Sequence, residues 1–260
     1  MFKKLKNFLR KSRKNSVKLG ILKEGGAYFS DLNLLAISDL QLGHEAVLHN
    51  RGIDVPVGQF PLIIERIESM LLQTKAKRIL INGDLKHEFG LAMQQEWSEV
   101  IELLNFLKKR NVELILVRGN HDNFVAKILR NQNLKLNDYF FEKGILFIHG
   151  HKRLEDYGAI PEFKTYSTLV IGHAHPAVTI LDEINIPHKY SCLLKGVFRG
   201  KELIVLPSIS PLASGTDAKT GAFSDDLHSP ILSECDLEEF IPVVIDPKGG
   251  VREFPKLKYL

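Results

Sequence analysis

The sequence alternates short apolar runs with longer amphipathic stretches. Runs rich in aliphatic and β-branched residues, such as 78–82 (RILIN) and 113–117 (ELILV), predict buried strands. Strands are predicted over residues 34–38, 78–82, 113–117, 139–141, 145–148, 169–171, 192–198 and 203–206. Helical spacing of apolar residues predicts helices over 58–74, 93–110 and 124–130. We therefore expect an α/β protein in which helices cover the outer faces of two sheets, with no linker between two halves.

The composition favours one globular domain. Of the 260 residues, 44 % are hydrophobic, which is enough for a sizeable core. Cys192 and Cys235 are far apart and lack metal-binding spacing, which argues against a disulfide framework or a cysteine zinc site. The sequence shows no apolar run of membrane-spanning length and no secretory signal pattern. We expect a soluble, cytoplasmic protein.

Basic residues are concentrated near the N-terminus. Residues 1–23 contain nine lysines and arginines and no acidic residue, although the whole chain has 35 basic and 31 acidic side chains. Residues 1–23 are therefore predicted to form a basic arm, and residues 24–260 the folded domain. Phe2, Leu5, Phe8 and Leu9 lie near helical spacing, so the arm could form an amphipathic helix that meets nucleic acid phosphates or an anionic surface. A disordered, solvated tail explains the same residues, and the sequence leaves both open.

Five of the predicted strands end in clusters of polar residues that can bind metal ions. The clusters are 38–41 (SDLQ), 83–87 (GDLKH), 119–122 (GNHD), 149–151 (HGH) and 172–175 (GHAH). In open α/β sheets the carboxyl ends of the strands form the ligand crevice, so we expect the clusters to converge on one rim. Their donors are oxygen and imidazole nitrogen without thiolate, which suits manganese, iron or zinc in a hydrolytic site.

In their order, these clusters resemble the signature blocks D-x-H, G-D, G-N-H-D/E, H and G-H-x-H of the calcineurin-like metallophosphoesterase superfamily. The GDLKH block is similar to the histidine-bearing second block of SbcD-type DNA nucleases. The stretches GDLKHEFG, CLLKG and LPSISPLASGTD resemble a group of small SbcD-related phosphoesterases. The resemblance implies a four-layer α/β/β/α sandwich that binds two divalent metal ions, with manganese favoured over iron or zinc.

The resemblance also implies roles for individual residues. Asp39 and His175 would bind the first metal, and Asp84 would bridge both metals. The second metal would be bound by Asn120, His149 and His173. His121 would donate a proton to the leaving oxygen or stabilise developing charge, with Asp122 as its orienting partner, and His87 would be a second histidine beside the phosphate.

Gln41 departs from the family pattern, which usually has histidine there. A glutamine carbonyl binds a hard cation but is a weaker ligand than imidazole for a borderline metal, so Gln41 predicts a weaker or manganese-selective first site. His44 is an alternative ligand for this position. Asp122 could instead cap the following helix, and His151 could contact substrate.

The remaining polar features have ordinary explanations. His49, His188 and His228 belong to no cluster. The serine-rich segment 207–216 is predicted to be a surface loop, and contact with phosphate through its hydroxyls is the alternative.

We expect a dinuclear metal-dependent phosphodiesterase or nuclease that acts on nucleic acid, foremost DNA, with the basic arm raising affinity for the polyanion. One alternative is a phosphatase or pyrophosphatase of nucleotides or other small metabolites. A second is a binding module that keeps the fold but has lost catalysis. A partner protein and a homodimer are left open.

Overall fold

The computed structural model describes residues 17–55, 58–88, 94–122, 125–220 and 227–260. The first sheet has the strand order β1-β2-β3-β4-β5-β6, with β3 to β6 parallel and β1 and β2 antiparallel. Its strands are β1 Leu19–Ile21, β2 Ala27–Phe29, β3 Leu34–Ile37, β4 Arg78–Asn82, β5 Glu113–Val117 and β6 Leu136–Asn137. The helices are α1 His44–Asn50, α2 Gln59–Thr74, α3 Gln94–Lys109, α4 Val125–Asn131 and α5 Glu162–Thr165.

The second sheet runs in the order β13-β10-β11-β12-β9-β8-β7, and β14 pairs with β11 and with β15. Its strands are β7 Phe140–Glu142, β8 Ile145–Phe147, β9 Thr168–Ile171, β10 Pro176–Leu181, β11 Pro187–Phe198, β12 Lys201–Val205, β13 Thr216–Asp217, β14 Ile241–Asp246 and β15 Gly250–Glu253. The parallel strands β8, β9 and β12 lie side by side in this sheet.

Alternate residues of the central strands pack into different layers, because side chains of a strand point to opposite faces of the sheet. In β4, Ile79 and Ile81 pack under α2 and α3, whereas Leu80 packs between the two sheets. In β9, Val170 packs between the sheets, and Leu169 faces an outer layer of short helices. The predicted four-layer α/β/β/α sandwich is confirmed.

Most of the predicted basic arm lies outside the described residues, since these begin at residue 17. Within the predicted arm, Leu19–Ile21 form β1 and pair with β2, so the first sheet begins before the predicted boundary at residue 23. The predicted helix over 93–110 corresponds to α3, and the predicted helix over 124–130 to α4. Residues 93 and 124 lie outside the described residues. Within the described ranges, no helix combines the length and the apolar character needed to cross a membrane.

Candidate metal centre

The five polar clusters follow parallel strands and meet at one edge of the sandwich. The first three follow β3, β4 and β5, and the last two follow β8 and β9. Five non-glycine residues in these loops have left-handed backbone conformations, with φ between 44° and 66°: Asp39, Gln41, Asp84, His173 and His175. Such conformations are uncommon for residues other than glycine and cluster at functional sites. The backbone is therefore bent at five of the seven positions that the sequence predicts to bind metal.

One group of donor atoms lies around Asp39. His175 Nε2 lies 3.2 Å from Asp39 Oδ1, and the Gln41 amide nitrogen lies 3.5 Å from His175 Nε2. The position beside Asp39 and His175 is therefore taken by the amide of Gln41. The ring of His44, the alternative ligand, stacks on that of His87, with ring centroids 3.7 Å apart.

A second group lies around Asp84. His149 Nε2 lies 3.3 Å from Asp84 Oδ2 and 3.1 Å from Asn120 Oδ1. Ligand atoms of Asp84, His149 and His173 all lie within 4.8 Å of one another. The two groups are joined because His149 Nε2 is also 3.9 Å from Asp39 Oδ1. All seven predicted metal ligands are thus brought together.

The arrangement fits divalent cations. Donor atoms about 2.0–2.2 Å from one metal lie roughly 3 to 4 Å from each other, which matches these distances. Asp39 Oδ1 is buried and has no hydrogen-bond partner among the described residues, which is costly unless a cation or another donor binds it. The donors are carboxylate, amide and imidazole, while Cys192 is buried in the outer layer of the second sheet. The residues therefore suit a hydrolytic metal centre; the ligand role of each one stays a prediction.

The site is buried, and its charged side chains shift one another's pKa. Burial by itself raises the pKa of Asp84, but the neighbouring His149 and His121 outweigh it and hold the pKa well below its ordinary value. Burial by itself lowers the pKa of His149, but Asp84 and Asp39 raise it to about 10. The buried carboxylates thus require positive charge beside them, which a proton or a bound cation supplies.

Backbone contacts orient the ligands. His149 Nδ1 lies 2.8 Å from the Asn82 carbonyl oxygen, so Nδ1 carries the proton in the neutral ring and the lone pair of Nε2 faces the site. The Asn82 amide donates to the Ile148 carbonyl at 2.9 Å and ties β4 to the second sheet. A Cβ atom on Gly83 would lie 2.2 Å from His149 Nδ1. Only glycine allows the histidine ring to approach this closely.

Two further residues hold the Asp39 loop in place. The Gln59 amide donates to the carbonyls of Leu40 and Gln41 at 3.0 and 3.1 Å. Ser208 donates to the Asp39 carbonyl at 2.8 Å. Ser208 belongs to the segment 207–216, for which the sequence predicts a surface loop. This expectation is wrong for residues 207–210, since Ile209 and Ser210 are buried and the segment packs against the site.

His121 is held beside Asp84. Its backbone N–H donates to Asp84 Oδ1 at 3.1 Å, and its Nε2 lies 3.7 Å from Asp84 Oδ2. Its Nδ1 is hydrogen-bonded to the His87 carbonyl oxygen. The ring is therefore oriented by a backbone carbonyl of the second loop.

Asp122 connects the second and third loops. Its two oxygens accept hydrogen bonds from the backbone N–H groups of Gly119 at 2.9 Å and Leu85 at 3.0 Å. It thus holds the second and third loops together, and its role as the orienting partner of His121 stays a prediction. Burial, followed by the charge of Asp84, raises the pKa of Asp122 to about 6. The alternative helix cap involves residues 123–124, which lie outside the described residues.

The other histidines separate into two sets. The ring of His151 lies 5.3 Å from that of His149, and burial lowers its pKa to about 3. His49 and His188 bond to surface aspartates, Asp54 and Asp182. The His228 side chain contacts Ser233, but its backbone carbonyl lies 3.3 Å from His173 Nε2. The described rim therefore includes part of the segment around His228, which the sequence did not indicate.

The sandwich fold and the donor set define a metal-dependent hydrolase of the phosphoesterase class. The chain belongs to the calcineurin-like phosphoesterase family, whose sequence profile matches residues 32–201.

One solved structure supports the fold. The nuclease MPE from Pseudomonas putida is 15 % identical and has a TM-score of 0.61, with coverage of 91 % of this chain and 94 % of that chain. Yfce, a phosphoesterase from E. coli, is 18 % identical with a TM-score of 0.42, over 86 % of this chain and 98 % of that one. A search of curated proteins found no match.

Proposed function

We propose that this protein is a dinuclear metal-dependent phosphodiesterase that cleaves nucleic acid, foremost DNA. The observation that carries the proposal is the junction of the two donor groups, in which His149 Nε2 lies 3.3 Å from Asp84 and 3.9 Å from Asp39. Such a junction can hold two neighbouring cations with one carboxylate between them. Asp84 would be that carboxylate, since its negative charge offsets the repulsion between the cations.

The remaining ligands divide by position. Asp39, Gln41 and His175 would hold the first cation, and Asn120, His149 and His173 the second. When bound, two such cations activate a water molecule and neutralise charge on the attacked phosphate. Manganese is favoured because Gln41 contributes an amide to the first site. An imidazole at this position would instead favour a borderline metal such as zinc.

His121 would protonate the leaving oxygen. In its neutral form, the bond from Nδ1 to the His87 carbonyl leaves the Nε2 lone pair facing Asp84. When the ring is protonated, Nε2 is the nitrogen that faces the site with a proton to donate. The second loop thus sets the direction of proton transfer, and Asp122 keeps that loop in register with the third loop.

Support for a diester substrate comes from the sequence and from the cavity. The block GDLKH carries His87, and residues 1–23 provide a cluster of positive charge suited to a polyanion. The cavity has a volume of about 400 Å³, and its lining includes Asp84, His121, His175 and residues 212–215. A cytoplasmic location belongs to the same proposal.

The test compares hydrolysis of bis-p-nitrophenyl phosphate and p-nitrophenyl phosphate in manganese. We expect cleavage of the diester, and a loss of kcat of about 10² to 10⁴ in His121→Ala. His49→Ala, which changes a surface histidine, is the matched control and should keep wild-type activity. Cleavage of only the monoester would identify a phosphatase, and cleavage of neither would favour a binding module.

A further inference from the structure

Three imidazole rings form a row in the cavity beside the metal centre. His87 lies next to His121, with ring centroids 5.8 Å apart and planes 21° from parallel. His44 lies against His87 at 3.7 Å and 16°. Since His121 is proposed to protonate the leaving oxygen, this row lies on the leaving-group side of the scissile bond.

Arg51 lies in the same cavity as these rings. It follows α1, and its backbone N–H bonds to the carbonyls of Val47 and Leu48, which fix its position at the end of that helix. Among the described residues, no carboxylate lies within 4.0 Å of its guanidinium, whereas Arg78 and Arg199 form ion pairs. Glu88 also lines the cavity, but it has a partner of its own.

Both outer rings have a pKa below the ordinary value of histidine. Burial, followed by the charge of His44, lowers the pKa of His87 to about 3. Burial and the nearby charge of Arg51 lower the pKa of His44. The Nδ1 atoms of both rings are buried and have no hydrogen-bond partner among the described residues. Among the described residues that line this cavity, Arg51 is the one lysine or arginine, and the polar Nδ1 atoms of two histidine rings lie in the same cavity.

We propose that Arg51, with His44 and His87 beside it, binds the next phosphate on the leaving-group side of the scissile phosphodiester. A guanidinium without an ion partner is suited to the oxygens of a phosphate, which it can bind through two N–H groups. The inference rests on the proposed phosphodiesterase activity and narrows its substrate to a polynucleotide. A leaving group that carries a further phosphate is preferred over one that carries none.

The test uses three dithymidine substrates in manganese: TpT, pTpT and TpTp. They differ only in a terminal phosphate, and the products show which oxygen leaves. In the wild-type protein, the terminal phosphate on the leaving-group side should raise kcat/KM by about tenfold over TpT. In Arg51→Gln this gain should fall below about twofold.

Two matched variants separate a specific contact from general charge. Arg51→Lys keeps the charge and should keep a part of the gain, although it loses the paired geometry of the guanidinium. Arg252→Gln removes an exposed arginine of β15 and should keep the whole gain.

The relative kcat/KM values of these substrates test this inference separately from the proposed function. An enzyme that cleaves bis-p-nitrophenyl phosphate but none of the three dithymidines, or that shows no gain from either terminal phosphate, would overturn the inference and leave the phosphodiesterase proposal standing. An equal gain in the wild type and in Arg51→Gln would do the same. A protein that cleaves none of these diesters would overturn both.

Discussion

Gly119 lies so close to Asp84 that no side chain fits between them. A Cβ atom at position 119 would lie 2.1 Å from Asp84 Oδ1 and 2.3 Å from the Asp84 backbone nitrogen. Glycine at the start of the third loop therefore allows the proposed bridging carboxylate of the second loop to reach the site.

Gly119→Ala should displace Asp84. Since one of the atoms in the way belongs to the backbone, the loops must move apart, and we expect the unfolding free energy to fall by about 1–3 kcal/mol. Manganese affinity should fall by about tenfold or more. Calorimetric titration and thermal unfolding measure both quantities. The control is Gly20→Ala, where the nearest atoms lie 3.9 Å from the added Cβ; equal manganese affinity in the two variants would contradict the proposed role of the close approach.

Manganese should stabilise the protein through Asp84. A ligand at about 100 times its Kd adds roughly 2.7 kcal/mol to the unfolding free energy, so the melting temperature should rise on adding the metal. In Asp84→Asn we expect most of this rise to disappear, because an amide cannot supply the negative charge between two cations. Asp182→Asn changes a surface aspartate on the β10–β11 hairpin and should respond to manganese like the wild type. A full stabilisation of Asp84→Asn would show that the metal binds elsewhere.

The sequence predicts the centre of the fold better than its edges. The strands over 78–82 and 113–117 agree with β4 and β5 to the residue, because parallel strands buried on both faces are continuous apolar runs. The sequence does not predict β1, because its three residues lie between Lys18 and Lys23 in a basic segment. The first half of β11 was missed since its side chains are largely exposed.

In the site, the sequence predicts the metal ligands but not the residues that support them. The predicted ligands lie in short local motifs after strands, so spacing along the chain reveals them. The residues that hold those motifs bond to backbone atoms that are distant in sequence: Asn82 to a carbonyl 66 positions away, and Ser208 to one 169 positions away. A backbone acceptor leaves no signature in the sequence, so only the tertiary structure shows these contacts.

Gln59 shows what such a contact contributes. Its amide donates to the carbonyls of Leu40 and Gln41 and to the Ser210 hydroxyl, and the residue is 1 % exposed. Gln59→Met keeps the approximate volume but leaves these buried acceptors without a donor, so we expect a loss of about 1–3 kcal/mol in unfolding free energy. Binding of the first manganese should weaken, because the Asp39 loop loses its support.

The control for this variant is Gln73→Met on the same helix, where the glutamine is exposed and bonds to Glu24. Thermal unfolding and manganese titration should both distinguish the two variants. A Gln59→Met protein that is destabilised but binds two manganese ions with wild-type affinity would limit Gln59 to a structural role.

Gln41→His should strengthen the first metal site. The amide nitrogen of Gln41 already lies 3.5 Å from His175 Nε2, so an imidazole at position 41 reaches the same group of donors. Imidazole is the better ligand for zinc, and we expect zinc affinity to rise by about tenfold or more. Competition titration against a coloured chelator measures this change. An unchanged zinc affinity would mean that residue 41 does not contact the first metal.

The basic arm should contribute to DNA binding but not to chemistry. A chain that starts at Lys18 loses seven of the nine basic residues of the arm and keeps all of β1. Each phosphate contact on a single strand makes the slope of log K against log salt steeper by about 0.7. We therefore expect the slope of the shortened chain to be shallower by about two or more. Fluorescence anisotropy with a labelled oligothymidylate in EDTA measures binding, and hydrolysis of bis-p-nitrophenyl phosphate should stay within about twofold of the wild type. A full-length chain with the same seven residues changed to glutamine separates charge from length, since it should bind like the shortened chain. An unchanged salt slope in either variant would remove the arm from the binding site.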